Sequence, residues 1–410
     1  MSSNSEARTL SQMVLYMVAI ASIEFARGAM FISLLPAYLP ERVGIPTAMV
    51  GIIVSVQYLA DGLLRSPAGW LVDRFGAWVV LAPALSVAAA AAVLLPRIHS
   101  FLPLLLVAVL FGAGTSPNWP AAISGSVRAS GLKGRAAGMS LVFMAWIGGG
   151  GLGPVLVNFL INHGYRLAFR VAAGVALLAP IVAIARLLTL PADQRVQRQD
   201  PAAAAAASGS VGQFWRHLWH IRALLPGMFV QTLALGMLVP ILVPFAKQDL
   251  GLSQPQFGLL MVAGGAVTVA LLLPMGRLAD HYGFRIFLVV GFALAGISAH
   301  FVGRAAPGFA VLPVVLVLGA SYATILPAWN GVMAGAVPEQ VRATFMGLFM
   351  TVEGLGLAIG PALGGALWTL FGHRSPFDAA SLVLVAMAAI YTFIPVERLA
   401  TAGSRWEESA

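Results

Sequence analysis

The sequence contains no cysteine, which at once excludes a disulfide framework, a thiolate metal site and thiol chemistry, and leaves the compartment unmarked. Charge is almost as scarce. Asp, Glu, Lys and Arg make up 10% of the 410 residues, where a soluble domain carries about 25%, and 59% of the chain is hydrophobic. At a mean hydropathy of +0.89, the chain has too little polar surface to face water. No glycine-rich phosphate loop is present, so ATP is not the expected energy source. Seven histidines (99, 163, 217, 220, 281, 300 and 373) offer no convincing metal-ligand pair. His217 and His220 lie beside Trp215 and Trp219 and read better as an interfacial segment. Neither a metal, a cofactor nor an enzyme constellation is expected.

What is abundant is the apolar run of about 20 residues that a bilayer requires. Periodicity places twelve helices at about 11–35, 46–70, 77–95, 101–125, 135–161, 166–190, 221–247, 254–275, 284–303, 309–332, 342–368 and 376–395. The expected fold is therefore an all-α integral membrane protein of two six-helix bundles, 1–190 and 221–410. Residues 191–220 form a polar cytoplasmic linker, read most simply as a passive tether. Nothing resembles a cleavable signal, because Met1 to Leu10 is weakly charged and the following apolar stretch is too long for one.

The net charge of +9 does not point to nucleic acid, because the basic residues fall on alternate loops. With both termini cytoplasmic, the inner segments hold 15 Lys and Arg and the outer ones 7, leaving Arg27 and Arg65 inside helices. This bias predicts a multi-pass plasma-membrane protein, monomeric, with both ends inside.

The two halves repeat at a fixed offset of 207. Gly44 maps to Gly251, Pro120 to Pro327, Arg135 to Arg342 and Gly153-Pro154 to Gly360-Pro361. The run Gly69, Leu71, Asp73 and Gly76 maps to Gly276, Leu278, Asp280 and Gly283. Duplicated bundles place a substrate between their halves near the midplane. The Gly69–Gly76 run, which includes Arg74, is expected just past the second helix, and its partner just past the eighth. There glycines allow a tight turn, and the aspartate suits a helix N-terminus. The glycines around Gly153-Pro154 and Gly360-Pro361 are spaced for close helix packing, with or without a part in exchange.

The sharpest signal is charge inside the first two helices. Glu24 and Arg27 share one helix face, Asp61 lies in the middle of the second helix, and Arg65 follows one turn on. Ions at bilayer depth are costly and normally face a wet cavity in pairs. Such a group is either a structural ion pair or a substrate and proton site in which protonation of the aspartate releases the arginine. The offset sets Gln231 opposite Glu24, Ala234 opposite Arg27 and Thr268 opposite Asp61, so the second half is largely apolar where the first is charged. A cavity polar on one side and apolar on the other suits an amphiphile. Trp119 and Trp146 are candidates for stacking on a sugar head group, or plain core aromatics. Glu353, which takes the repeat position of Trp146, is a candidate second protonation site or a neutral, hydrogen-bonded acid.

The glycine and aspartate runs resemble the cytoplasmic-loop signature of the major facilitator superfamily, whose role there is to latch the two halves. The Gly148–Pro154 and Gly356–Gly365 stretches look like the superfamily's antiporter motif. Ile23-Glu24-Phe-Ala-Arg27-Gly28, Tyr58-Leu-Ala-Asp61, Ser116-Pro-Asn-Trp119, Leu225 to Gln231, Leu238 to Ile241 and Leu326 to Asn330 go further. They resemble the family of flippases for the glycolipid anchor of lipoteichoic acid, along nearly the whole chain. That resemblance implies proton-coupled antiport of a diglucosyl-diacylglycerol-like lipid, with protons and lipid as partners. It implies essential charges at Glu24, Arg27 and Asp61, and head-group tryptophans at Trp119 and Trp146. Gln231 and Asn330 join them as expected substrate contacts. Two features depart from that family. Glu353 stands where it has a glutamine, and the intact Asp73 motif stands where it has basic residues. The motifs also fit a multidrug proton antiporter, which is the alternative expectation.

Overall fold

The computed structural model describes residues 2–190, 218–219, 222–336 and 342–400, with side-chain surroundings for all of these but 2–12, 123–141, 143, 334, 342–346 and 400. Most of the expected linker at 191–220 thus lies outside the described residues. Every described element is helical. Eleven helices are long and apolar enough to cross a membrane: α1 Met13–Val43, α2 Thr47–Phe75, α3 Ala77–Arg97, α4 Phe101–Ala122, α5 Met144–His163, α6 Tyr165–Thr189, α8 Gln254–Tyr282, α9 Phe284–Val302, α10 Gly308–Met333, α11 Gly347–Phe371 and α12 Ser375–Phe393. The twelfth, α7, is the pair Leu225–Leu238 and Leu242–Gln248, bent by 43° where Val239-Pro240 interrupts the ladder.

The chain separates into two compact units, Met1–Gln199 and Asp200–Ala410. Within the first, α1 packs on α5 and α6, α2 on α4, and α3 on α4 and α6. Within the second, α7 packs on α11, α8 on α10, and α9 on α10 and α12. These are the same pairings at the repeat offset.

Glycine sets the closest of them. A Cβ on Gly149 would strike the backbone of Ala21, and one on Gly153 the backbone of Phe25 and Ala29. Added at Gly360, it would meet Leu233 and Gly236, and at Gly364 the carbonyl of Met237. Without side chains between them, α1 and α5, and likewise α7 and α11, touch backbone to backbone, where dispersion rather than water release holds helices in lipid. Larger side chains fill the rest. In the second unit Phe292, Trp329 and Tyr391 form a fully buried aromatic group. In the first, Tyr16 stacks on Trp78 at 4.2 Å between α1 and α3.

Three expectations need correction. The first helix does not end near 35 but continues to Val43, through wider π-helical turns at Gly28–Leu34 and Leu39–Val43. These absorb Pro36 and Pro40 without stopping the chain. The break expected between the fourth and fifth helices at 126–134 is absent, because the backbone is helical from Asn118 to Leu160 and no proline falls between Pro120 in its first turn and Pro154. Instead, the fourth span is interrupted earlier, by a turn at Ser116-Pro117 just before Asn118. Finally, the Gly69–Gly76 run does not follow α2 but forms its last turns, with Gly76 as the C-cap, and Gly276–Gly283 ends α8 in the same way.

Candidate transport site

The charged residues of α1 and α2 come together. Ser22 to Phe31 are buried without a break, so Glu24 and Arg27, three residues apart, keep little water. Arg27 stands between two acids: Nη1 donates to Asp61 Oδ2 at 3.2 Å, and Nη2 lies 3.6 Å from Glu24 Oε1. Asp61 also accepts from Arg65 Nη2 at 2.9 Å. The side chains of Glu24, Arg27 and Asp61 are 7%, 10% and 5% exposed, while Arg65 at 26% is the wetter end of the chain of charges. Two carboxylates against two guanidiniums balance formally. One Asp61 oxygen receives both arginines, so protonating that carboxyl would weaken two contacts at once.

Neutral groups also surround the cluster, none of them assigned to the site from sequence. The Tyr58 ring lies 5.9 Å from the Arg27 guanidinium, as a cation–π neighbour. The Asn118 amide sits beside the Glu24 carboxyl. Gln57, one turn before Asp61, is fully buried, and neither amide atom has a protein partner. An orphaned buried amide costs about 1–3 kcal/mol, which marks a place for water or another polar guest. A polar residue one turn from a buried aspartate was the available signal. Nearby, Trp119 and Trp146 face each other edge to face, with centroids 6.2 Å apart. Trp146 is 40% exposed, whereas Trp119 is partly covered by the small core of Ile20, Ala122, Val142 and Ala145.

In the second unit, Gln231 Nε2 donates to Glu353 Oε1 at 3.2 Å, joining α7 to α11. Thr268, the repeat partner of Asp61, donates to the carbonyls of Gly264 and Gly319 and so is used within its own bundle. Along α7, Leu233, Met237, Val239 and Ile241 are buried and Leu235 is exposed. Asn330 is exposed near the end of α10.

The glycine–aspartate runs have matching geometry in the two units. Gly76 and Gly283 take φ of +91° and +93°, left-handed values that favour glycine and turn the chain into the next helix. Gly69 faces Pro120, and Gly276 faces Pro327, each with just enough room for a Cβ. Asp280 is exposed and Asp73 half-buried. Arg74 lies over the rings of Trp70 and Phe75. Gly153-Pro154 and Gly360-Pro361 sit in the close seams already described, which accounts for their spacing by packing.

Eleven apolar spans with a twelfth in the bent pair, repeated six-helix units and buried ions are the features of a membrane transporter. The chain belongs to the major facilitator superfamily, whose family model matches residues 17–230 and 224–408. It is similar to the proton-coupled antiporter flippase LtaA of Staphylococcus epidermidis, with 26% identity over 415 residues covering 96% of each chain. To the protein of the same name from Staphylococcus aureus it is 26% identical over 395 residues, covering 92% of this chain and 93% of that one. Among solved structures, a point variant of the nucleoside transporter NupG superposes with a TM-score of 0.71 at 13% identity, over 94% of this chain and 99% of the other. That likeness is one of fold.

Proposed function

We propose that this protein is a proton-coupled flippase that moves a glycolipid, of the diglucosyl-diacylglycerol type that anchors lipoteichoic acid, across the plasma membrane by alternating access. Both termini are cytoplasmic in this reading. The observation that carries it is the buried Glu24–Arg27–Asp61–Arg65 chain, in which one aspartate oxygen holds two arginines. A purely structural pair needs only one arginine and no half-wet end. Protonation of Asp61 frees Arg27 to engage a polar head group, and return of the head group displaces the proton, so the two cannot occupy the site together. Trp146, with its exposed face, supports stacking on a sugar ring, and Trp119 holds it there by the edge contact. The names of the relatives at 26% identity support the same chemistry. In this account the paired glycine–aspartate turns gate the cycle and do not select the substrate.

A drug-type antiporter would share the motifs. The discriminating experiment follows fluorescent diglucosyl-diacylglycerol in proteoliposomes, with ethidium as competitor. Flipping that responds to a pH gradient and is indifferent to ethidium supports the glycolipid. Ethidium–proton exchange without lipid flipping contradicts it.

A further inference from the structure

The pair formed by Gln231 and Glu353 has no counterpart in the first unit, where the repeat positions hold Glu24 and Trp146. Its surroundings differ from those of Asp61 in one decisive respect. Asp61 binds two arginines. Glu353 is half-buried in the middle of α11 and accepts from a neutral amide. Tyr322 of α10 is close enough to feel its charge and is itself 46% exposed. The packed neighbours add little. Leu225–Leu238 of α7 contains no titratable residue, α10 contributes Tyr322, and α12 carries Asp378 near its start and Tyr391 deep in the core. Asp378 is engaged by Arg304 and His300. Within the continuous helix Arg342–Phe371 that contains α11, the other charged residue is Arg342, three turns away.

A neutral amide suits both protonation states of a carboxyl. The ionised form accepts the Gln231 N–H, and the acid donates its O–H to the Gln231 carbonyl once the amide turns over, so neither state orphans a group. The bond also sits at the head of the glycine seam, where Gly356 lets α11 touch Phe229 and Thr232 of α7, so changes at Glu353 reach both helices.

We infer that Glu353, held by Gln231 at the head of the glycine seam, is a second proton-binding carboxyl of the transport cycle, so that each lipid crossing is coupled to two protons. This rests on the proton-coupled reading of the first unit. The test measures the steady-state leaflet ratio of fluorescent diglucosyl-diacylglycerol against pH gradient, with the membrane potential clamped. Two coupled protons give a ratio rising about a hundredfold per pH unit, and one gives about tenfold. Wild type is expected to follow the steeper line, Glu353→Gln the shallower, and Glu353→Asp, which keeps a carboxyl, the steeper again. A wild-type response of about tenfold, or Glu353→Gln unchanged from a hundredfold, overturns the inference. Infrared pH-difference spectra separate this from the substrate question. If wild type flips no lipid, a titrating carboxyl band lost in Glu353→Gln still supports the proton site, and a band unchanged in that variant overturns it.

Discussion

Removing the Arg27 guanidinium is the most informative perturbation of the charged cluster. Arg27 is 10% exposed and contacts Asp61 at 3.2 Å and Glu24 at 3.6 Å, so Arg27→Ala strands Glu24 while Asp61 keeps Arg65. Breaking a fully buried ion pair costs about 3–5 kcal/mol. The surviving Arg65 contact and its 26% exposure place this case at or below the low end, about 2–3 kcal/mol. The ions are coupled, so the penalty depends on the acids left behind. In a double-mutant cycle, Arg27→Ala with Asp61→Asn should be less destabilising than the sum of the single changes by about 1–2 kcal/mol. Thermal unfolding of the purified protein in detergent, with melting temperatures of all four species, measures that coupling. Strict additivity would refute the claim that Arg27 and Asp61 form one energetic unit.

Other predictions follow from packing and exposure. Gly153→Ala should destabilise the protein by about 1–3 kcal/mol, because the methyl meets the backbone of Phe25 and Ala29; Gly151→Ala, on an open face two residues earlier, should be neutral or stabilising. Melting temperatures of the pair check this. Gly76→Ala at φ +91° should cost about 1–2 kcal/mol, through strain at the α2–α3 turn rather than lost contacts, and its melting temperature should fall accordingly. Trp146→Ala should weaken glycolipid transport severalfold while leaving the melting temperature nearly unchanged, because Trp146 is 40% exposed; a matching loss of stability would assign it to the core.

The fold was largely legible because lipid imposes a blunt rule: apolar runs of spanning length must be helices. The repeat likewise foretold that α7 and α11 would mirror α1 and α5. Breaks were harder to read. The first helix was expected to end near 35, but π-helical turns carry α1 to Val43, and a loop was expected at 126–134, where the backbone stays helical. The ionic core of the site stood out because charge at bilayer depth has no cheap explanation. The neutral partners Gln57, Tyr58, Asn118 and Tyr322 carry no such cost, so their signal in the sequence was at most weak: a polar residue one turn from Asp61, and Tyr58 and Asn118 inside longer motifs. The Gln231–Glu353 bond was missed for a related reason. The offset matched each residue with an unlike partner in the other half, and their contact depends on how closely the glycines of α11 approach α7.

The central claim is that the buried charges couple proton flow to glycolipid movement. The most direct test compares flipping of fluorescent diglucosyl-diacylglycerol in proteoliposomes, with and without a pH gradient, for wild type and for Arg27→Ala shown to be folded by gel filtration. The account predicts gradient-driven flipping in wild type and its collapse in the variant. Flipping by Arg27→Ala that still follows the gradient would contradict it.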